Sequence, residues 1–145
     1  MKRIQVLSTL VIFLIGCTST EIRVHASEVN EGRENGLEVL YYNGEEFSGI
    51  VYQNWENGNI NYIYEVKNGL RHGSFKGYWE NGQIHTDTFY KNGLKHGEYK
   101  GYWNNGNPST TTTYVEGERH GGYTFHDYSG ELVSQSTYQH GVKLN

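Results

Sequence analysis

GSFKGYWENGQIHTDTFYKNGLKH, residues 73–96, decides the fold because the chain repeats it. The neighbouring copies read GIVYQNWENGNINYIYEVKNGLRH at 49–72 and GEYKGYWNNGNPSTTTTYVEGERH at 97–120, and a divergent GGYTFHDYSGELVSQSTYQHGVKLN covers 121–145. Residues 37–48 form a degenerate half-repeat. A unit of 24 residues cannot bury a core alone, so the units must stack on one another. Function is therefore expected on a surface rather than in a pocket.

Each of the three regular copies is predicted to be a β-hairpin. An Asn-Gly pair separates two runs rich in Tyr, Trp, Ile and Thr, as at 81–82. This pattern favours a two-residue type I′ turn, in which both central residues have positive φ. The second junction, residues 67–73 and its repeats, is expected to be a longer connection. The sequence thus predicts an all-β fold, an elongated single-layer antiparallel sheet of about four hairpins of 24 residues each.

The register of the strands follows from counting outward from the Asn-Gly turn. A two-residue turn at 81–82 predicts the opposed pairs Trp79–Ile84, Gly77–Thr86, Phe75–Thr88 and Gly73–Tyr90, all on one face. Pro108, the only proline, cannot donate to an adjoining strand and is expected to loosen the pairing there.

The large rings should share that face and supply the packing, since 14% of the residues are aromatic. The packed face is expected to hold Trp55, Trp79, Trp103, Phe75, Tyr99, Tyr123, Tyr90, Tyr114 and Tyr138. The structural repeat positions are Trp55, Trp79 and Trp103 with Gly58, Gly82 and Gly106. On the opposite, mostly polar face, four apolar side chains form a possible binding surface: Tyr78, Tyr102, Phe89 and Ile63.

The first residues resemble a bacterial lipoprotein signal peptide. Lys2 and Arg3 precede an apolar run too short to span a bilayer comfortably, and the run ends in Leu-Ile-Gly before Cys17. The resemblance implies cleavage after residue 16 and lipid attachment to Cys17, by diacylglycerol and an N-acyl chain. The domains are then a signal peptide at 1–16, a lipidated N-terminus and flexible tether at 17–36, and a repeat domain at 37–145.

A second resemblance rests on the repeat itself. Residues 99–106, YKGYWNNG, fit the pattern Tyr-x-Gly-x-Trp-x-x-Gly, and residues 75–82 fit it with Phe in place of Tyr. With the Asn-Gly-x-x-His-Gly junctions, the chain resembles the bacterial MORN-repeat variant family. That resemblance implies a sheet of successive hairpins used as a scaffold or contact surface. Bacterial members are also often described as immunity partners of secreted toxins.

Charge and composition exclude some functions. Without residues 1–16 the chain has 10 basic and 16 acidic residues, a net charge of about −6, which argues against nucleic-acid binding. Cys17 is the only cysteine, so no internal disulfide can form. Apart from the acyl chains on Cys17, no cofactor is expected.

The histidines and the one candidate catalytic cluster have structural interpretations. His72, His96 and His120 recur at the repeat period, but equivalent residues two strands apart lie roughly 10 Å from each other, too far to share a zinc ion. A structural role at the turns is therefore preferred to metal binding. His85 and Asp87 are expected to share a face with Ser109, without the dry cleft that a hydrolase needs. We expect no metal site and no enzyme.

The sequence therefore predicts a lipoprotein whose repeat sheet is a protein-binding scaffold at the bacterial cell envelope. The lipid would hold it to the outer membrane in a cell that has one, and otherwise to the outer face of the plasma membrane. Two alternatives stay open: an immunity protein that neutralises a secreted toxin, and a binder of cell-wall glycans. The expected partners are the membrane, through the lipid, and an unidentified protein, possibly a toxin.

Overall fold

A computed structural model describes residues 21–144, and nearly all of its regular structure is β-strand. The strands are β1 (Arg23–His25), β2 (Asn30–Glu34), β3 (Leu37–Tyr42), β4 (Glu45–Glu46), β5 (Gly49–Asn54), β6 (Ile60–Lys67), β7 (Leu70–Tyr78), β8 (Ile84–Lys91), β9 (Leu94–Tyr102), β10 (Pro108–Val115), β11 (Glu118–His126), β12 (Leu132–Gln139) and β13 (Val142–Lys143). One 3₁₀ turn, Ala26–Glu28, follows β1. Cys17 and the signal-peptide residues lie outside the described range.

The repeats form the predicted open, elongated hairpin sheet. Ten strands lie in the order β1-β5-β6-β7-β8-β9-β10-β11-β12-β13, and every pair is antiparallel except β1 with β5. Consecutive strands from β5 to β13 are thus bonded to one another, which is the simplest way to stack hairpins. The fold class expected from the glycine and aromatic periodicity is confirmed.

The two kinds of turn are the reverse of the prediction. At 79–83, Gly82 alone has positive φ, 84°, and the Trp79 amide donates to the Gln83 carbonyl at 2.8 Å. This is a three-residue loop closed by a glycine bulge, rather than a type I′ turn. The tight two-residue turns are instead at the second junctions: Asn92 and Gly93 have φ of 50° and 83°, and Lys91 lies opposite Leu94.

The predicted register is confirmed along the strands and wrong beside the loop. Gly77 lies opposite Thr86, Phe75 opposite Thr88 and Gly73 opposite Tyr90. The extra loop residue shifts the ladder, so that Tyr78, not Trp79, lies opposite Ile84.

The loosening expected at Pro108 does not occur. Pro108 begins β10 and lies opposite Tyr102, and the irregularity beside it also occurs in the hairpins that have isoleucine at this place. The pairing of β10 with β11 begins only at Thr110, as the pairing of β8 with β9 begins at Thr86. The missing N–H of Pro108 therefore removes no bond that the repeat uses.

Part of the predicted tether is folded. Val24 is 3% exposed in β1, which pairs in parallel with β5, and β2 pairs with β3 along its whole length. Few apolar residues mark this segment in the sequence, but the main-chain bonds of β1 and the burial of Val24 hold it in place. The interpretation of residues 21–36 as a flexible tether is wrong.

The half-repeat at 37–48 is also placed differently. Because β1 occupies the edge of β5, β3 and β4 cannot continue the sheet, and with β2 they form a separate three-stranded sheet. This small sheet covers one face of the first hairpin. The core lies between the two and consists of Val24, Leu40, Phe47, Val51, Tyr64 and Val66.

Truncating Val24 tests whether β1 is structural. Val24→Ala should lower the free energy of unfolding by about 2 kcal/mol, because it leaves a cavity in the core. Chemical denaturation of the purified protein measures the loss. Ile22→Ala is the matched control, because Ile22 is 42% exposed and its truncation should change stability by less than about 0.5 kcal/mol. If neither substitution changed the free energy of unfolding measurably, the interpretation of this segment as a flexible tether would be correct.

The tight turns offer a stabilising substitution. Glu116 has φ of 51° at the place where Asn68 and Asn92 stand in earlier repeats. Asparagine tolerates this conformation better than other side chains, so Glu116→Asn should raise stability by about 0.5–1 kcal/mol. Thermal melting measures the gain. Thr113→Asn, in the strand before the turn, should not raise stability, and a melting temperature unchanged by Glu116→Asn would argue against the turn assignment.

Candidate binding surface on the aromatic face

Rings and small side chains alternate across one face of the ten-stranded sheet, here called the aromatic face. Thr88 lies opposite both Phe75 and Tyr99, and Thr112 lies opposite both Tyr99 and Tyr123. Thr88 and Thr112 are only 5% and 2% exposed. Small residues between large ones let the rings cover the neighbouring strand. The face therefore gains burial without a second layer.

A basic side chain lies between two tyrosine rings in each of the three regular repeats. The basic residue and one of its two rings, Tyr90, Tyr114 or Tyr138, recur every 24 residues, a feature that the sequence analysis missed. The distances from the basic group to the ring centres are 4.9 and 5.9 Å for Arg71 with Tyr64 and Tyr90, 4.9 and 5.2 Å for Lys95 with Tyr99 and Tyr114, and 5.2 and 5.4 Å for Arg119 with Tyr123 and Tyr138. Each contact contributes about 0.5–1 kcal/mol where it is exposed.

The small sheet covers the first of these sites and leaves the others open. Arg71 donates to Glu38 of β3 at 2.8 Å, and Tyr64 beside it is 5% exposed. Lys95 and Arg119 make no salt bridge with any residue between 21 and 144. The rings beside them, Tyr99, Tyr114, Tyr123 and Tyr138, are half-buried.

The packed face of the sequence analysis is thus packed only at its N-terminal end. The expected rings lie on it, but β3 begins at Leu37, whose side chain lies beside the Gly93 turn, and β3 covers nothing beyond that turn. Beyond that turn, the aromatic face from β9 to β12 has no covering element among the described residues. We call this part of the aromatic face, centred on Lys95 and Arg119, the open surface.

Burial under the small sheet changes the pKa values of the groups around Arg71. Burial raises the pKa of Tyr64 to about 12, although Arg71 opposes the shift. The pKa of Tyr90 is also raised by burial. Burial by itself would lower the pKa of Arg71, but Tyr64 and Glu38 outweigh it and raise that pKa.

Successive hairpins are joined at the loop side by side-chain bonds to the main chain. The Trp55 Nε1 donates to the carbonyl of Tyr78 at 3.0 Å, and the Trp79 Nε1 donates to the carbonyl of Tyr102 at 3.1 Å. Trp103 repeats the bond to His126 at 3.1 Å. Each hydrogen bond of this kind contributes about 1 kcal/mol. The regular spacing of the tryptophans along the chain therefore has a structural reason.

The four residues of the possible binding surface lie on the other face, here called the polar face. Ile63 lies between Tyr52 and Lys76, and Phe89 lies opposite Ser74. Tyr78 and Tyr102 occupy equivalent ends of β7 and β9 and are half-buried, whereas Phe89 is 44% exposed. Phe89 is five residues along β8 from Ile84, the partner of Tyr78. The four do not form one patch.

The polar face also pairs its charges internally. Lys76 lies 3.6 Å from Asp87, and Lys100 lies 2.9 Å from Glu98. Both faces therefore carry basic residues at a spacing of 24, but Lys76 and Lys100 on the polar face have carboxylate partners. This difference provides a matched control for the open surface.

The histidines lie beside the turns. The Nδ1 of His72 is 3.2 Å from the Asn92 Oδ1, and the rings of His120 and His140 have centres 5.5 Å apart. Within the described residues, no three His, Cys, Asp or Glu side chains are placed to hold a metal ion. Between residues 21 and 144, no helix is long and apolar enough to cross a membrane.

His85 and Asp87 do not act together. The His85 ring packs against Trp79 with centres 4.3 Å apart, whereas Asp87 pairs with Lys76. The irregularity of β8 turns His85 toward the aromatic face. Counting residues outward from the Asn-Gly pair could not predict this irregularity. Ser109 occupies the equivalent place in β10, close to Gly101.

The hairpins match a known repeat. Residues 71–92 and 95–116 match the MORN repeat variant family. Each MORN-like segment begins at the basic residue of a cation–π site, Arg71 or Lys95, and ends in the next tight turn. No curated protein and no solved structure matches the chain. MORN repeats are membrane- or protein-binding motifs in general.

Alkaline titration tests the burial of Tyr64 under the small sheet. A raised pKa means that the folded protein keeps its proton on Tyr64 between pH 10 and about 12, where the unfolded chain loses it. The stabilisation by this group is therefore complete below pH 10 and is lost as pH rises toward 12. Absorbance at alkaline pH should show a late component that Tyr64→Phe reduces. Ile22→Ala, which changes an exposed side chain that does not titrate, should leave that component unchanged. A late component of equal size in Tyr64→Phe and the wild-type protein would contradict the assignment.

Proposed function

We propose that the repeat sheet is a protein-binding module and that the open surface is where its partner binds. The observation that carries the proposal is the uncovered row of tyrosines around Lys95 and Arg119. Tyrosine and arginine are enriched in protein interfaces and account for much of their binding energy. Catalysis has no part in this proposal.

The first repeat supports this assignment, because there the same face is already occupied. The small sheet buries Tyr64 and pairs Glu38 with Arg71. The open surface repeats the chemistry of that contact without its cover. A protein segment can therefore supply at the later repeats what β3 supplies at the first.

We further propose that the module is held at the bacterial cell envelope by lipid on Cys17. The support is the resemblance of residues 1–17 to a lipoprotein signal. Two or three acyl chains anchor a protein stably, at about 0.8 kcal/mol per buried methylene. Labelling of cells with a palmitate analogue should mark the protein, and Cys17→Ala should abolish both the label and membrane fractionation. An unlabelled wild-type protein would contradict the anchor.

Comparison of the two faces tests the binding function. A partner protein should co-purify with the wild-type protein from its own cells. Tyr99→Ala with Tyr123→Ala should abolish this co-purification, because the two substitutions remove the aromatic anchors of the interface. Tyr78→Ala with Tyr102→Ala, on the polar face, is the matched control and should retain it. Circular dichroism should confirm that both variants fold.

If the Tyr78 and Tyr102 variant lost the partner while the Tyr99 and Tyr123 variant kept it, the interface would lie on the polar face. Saturable binding of cell-wall fragments, lost only in the Tyr78 and Tyr102 variant, would replace protein binding by glycan binding. A secreted toxin as the captured partner would identify the immunity function. No enrichment in the wild-type protein would contradict the proposal itself.

A further inference from the structure

We infer that the open surface binds an extended acidic segment of a partner protein, whose carboxylates lie three residues apart and pair with Lys95 and Arg119. The inference rests on the proposed protein-binding function and specifies the chemistry of the partner. Its evidence is a contact inside the chain, where β3 occupies the equivalent site of the first repeat.

The contact of β3 shows which group this site accepts. Arg71 lies between the rings of Tyr64 and Tyr90 and also donates to Glu38 at 2.8 Å. The guanidinium thus has aromatic neighbours on two sides and a carboxylate on a third. Charge-assisted bonds of this kind are about twice as strong as neutral ones.

Lys95 and Arg119 also lie between two tyrosine rings, but no carboxylate from the described residues pairs with them. Tyr114 and Tyr138 are the repeat equivalents of Tyr90, whereas Tyr99 and Tyr123, the equivalents of Phe75, supply the ring that Tyr64 supplies to Arg71. Lys95 lies within 5.2 Å of the centres of Tyr99 and Tyr114, and Arg119 lies within 5.4 Å of those of Tyr123 and Tyr138. Both side chains are partly exposed. A carboxylate of a partner protein can reach each of them, whereas Lys76 and Lys100 on the polar face already pair with carboxylates of this chain.

The spacing of the two sites sets the spacing of the partner's charges. Lys95 and Arg119 are two strands apart, which is about 10 Å. β3 shows how an extended chain covers that distance. Leu40 bonds to the carbonyl of Gly69, and Leu37, three residues away, reaches the next turn at Gly93. A polyproline II segment advances about 9.3 Å in three residues and returns to the same side, so carboxylates at i and i+3 face both cations.

The internal contact also favours a protein over a lipid surface. The group that pairs with Arg71 is a carboxylate on an extended strand, with leucine and valine beside it. Binding to anionic vesicles is therefore the competing outcome of the test.

A peptide titration of the purified full chain, followed by NMR, tests the inference. The probe is a capped peptide with Glu-Pro-Pro-Glu at its centre, and the controls contain Gln-Pro-Pro-Gln or two adjacent glutamates. We expect saturable shifts of amide signals in β9 to β12 and at least roughly tenfold weaker binding of the glutamine peptide. Adjacent glutamates should bind several-fold more weakly, because they reach only one cation.

The variants separate the two faces. Lys95→Gln with Arg119→Gln should lose the binding of the Glu-Pro-Pro-Glu peptide. Lys76→Gln with Lys100→Gln removes the same charge from the polar face and should retain affinity within about twofold. Equal binding of the glutamate and glutamine peptides by the wild-type chain overturns the inference, even if a variant fails to fold.

Two further outcomes overturn the inference and assign the surface differently. Binding to phosphatidylglycerol vesicles that Lys95→Gln with Arg119→Gln abolishes, without peptide binding, assigns the surface to a membrane. If no peptide binds but co-purification of the cellular partner still requires Tyr99 and Tyr123, only the acidic motif is overturned. In that case the proposed function stands.

Discussion

The structure depends on large rings lying against small residues of the neighbouring strand. A single sheet has no second layer, so its apolar side chains must find cover within the sheet itself. Thr88 and Thr112 lie almost fully buried between Phe75, Tyr99 and Tyr123. Replacement of the threonines by large residues would lift the rings away from the strands. The same alternation explains why leucine and valine are not needed to hold later repeats together.

Flat rings on an open sheet also create sites for positive charge. The faces of tyrosine rings attract cations, and the repeat places Arg71, Lys95 and Arg119 between successive pairs of rings. In the first repeat, a carboxylate completes the site, and the small sheet excludes water from Tyr64. The later repeats lack that cover. One structural rule therefore produces a core at one end of the sheet and a binding surface at the other.

Much of the fold could be predicted from the sequence, because the repeat carries it. The hairpins, the register from Gly73 to Gly77 and the shared face of the rings all follow from periodicity. The turns could not be assigned from Asn-Gly alone, because the same pair occurs at both junctions. The loop at 79–83 differs from the tight turns in its length, in the φ of its asparagine and in the hydrogen bonds that close it.

The part of the site that the sequence did not predict depends on contacts between distant segments. The basic residues were visible at a spacing of 24, but they were considered only as neighbours of the histidines. The register of β6 with β7 shifts between Tyr64 and Val66, which brings Arg71 opposite Val66 and so beside Tyr64. The cover provided by β3 depends on the parallel pairing of β1 with β5, and residues 21–36 carry no periodic signal for it. Local patterns thus predicted the sheet, and only the folded chain shows which part of it is open.

Site-specific photo-crosslinking in living cells tests most directly whether the open surface is the functional one. A photoreactive phenylalanine analogue placed at Tyr123 lies on the open surface, and one at Thr113 lies on the polar face of the adjoining strand. The account predicts a covalent adduct with a partner protein from position 123 and none from position 113. An adduct from position 113 alone would contradict it.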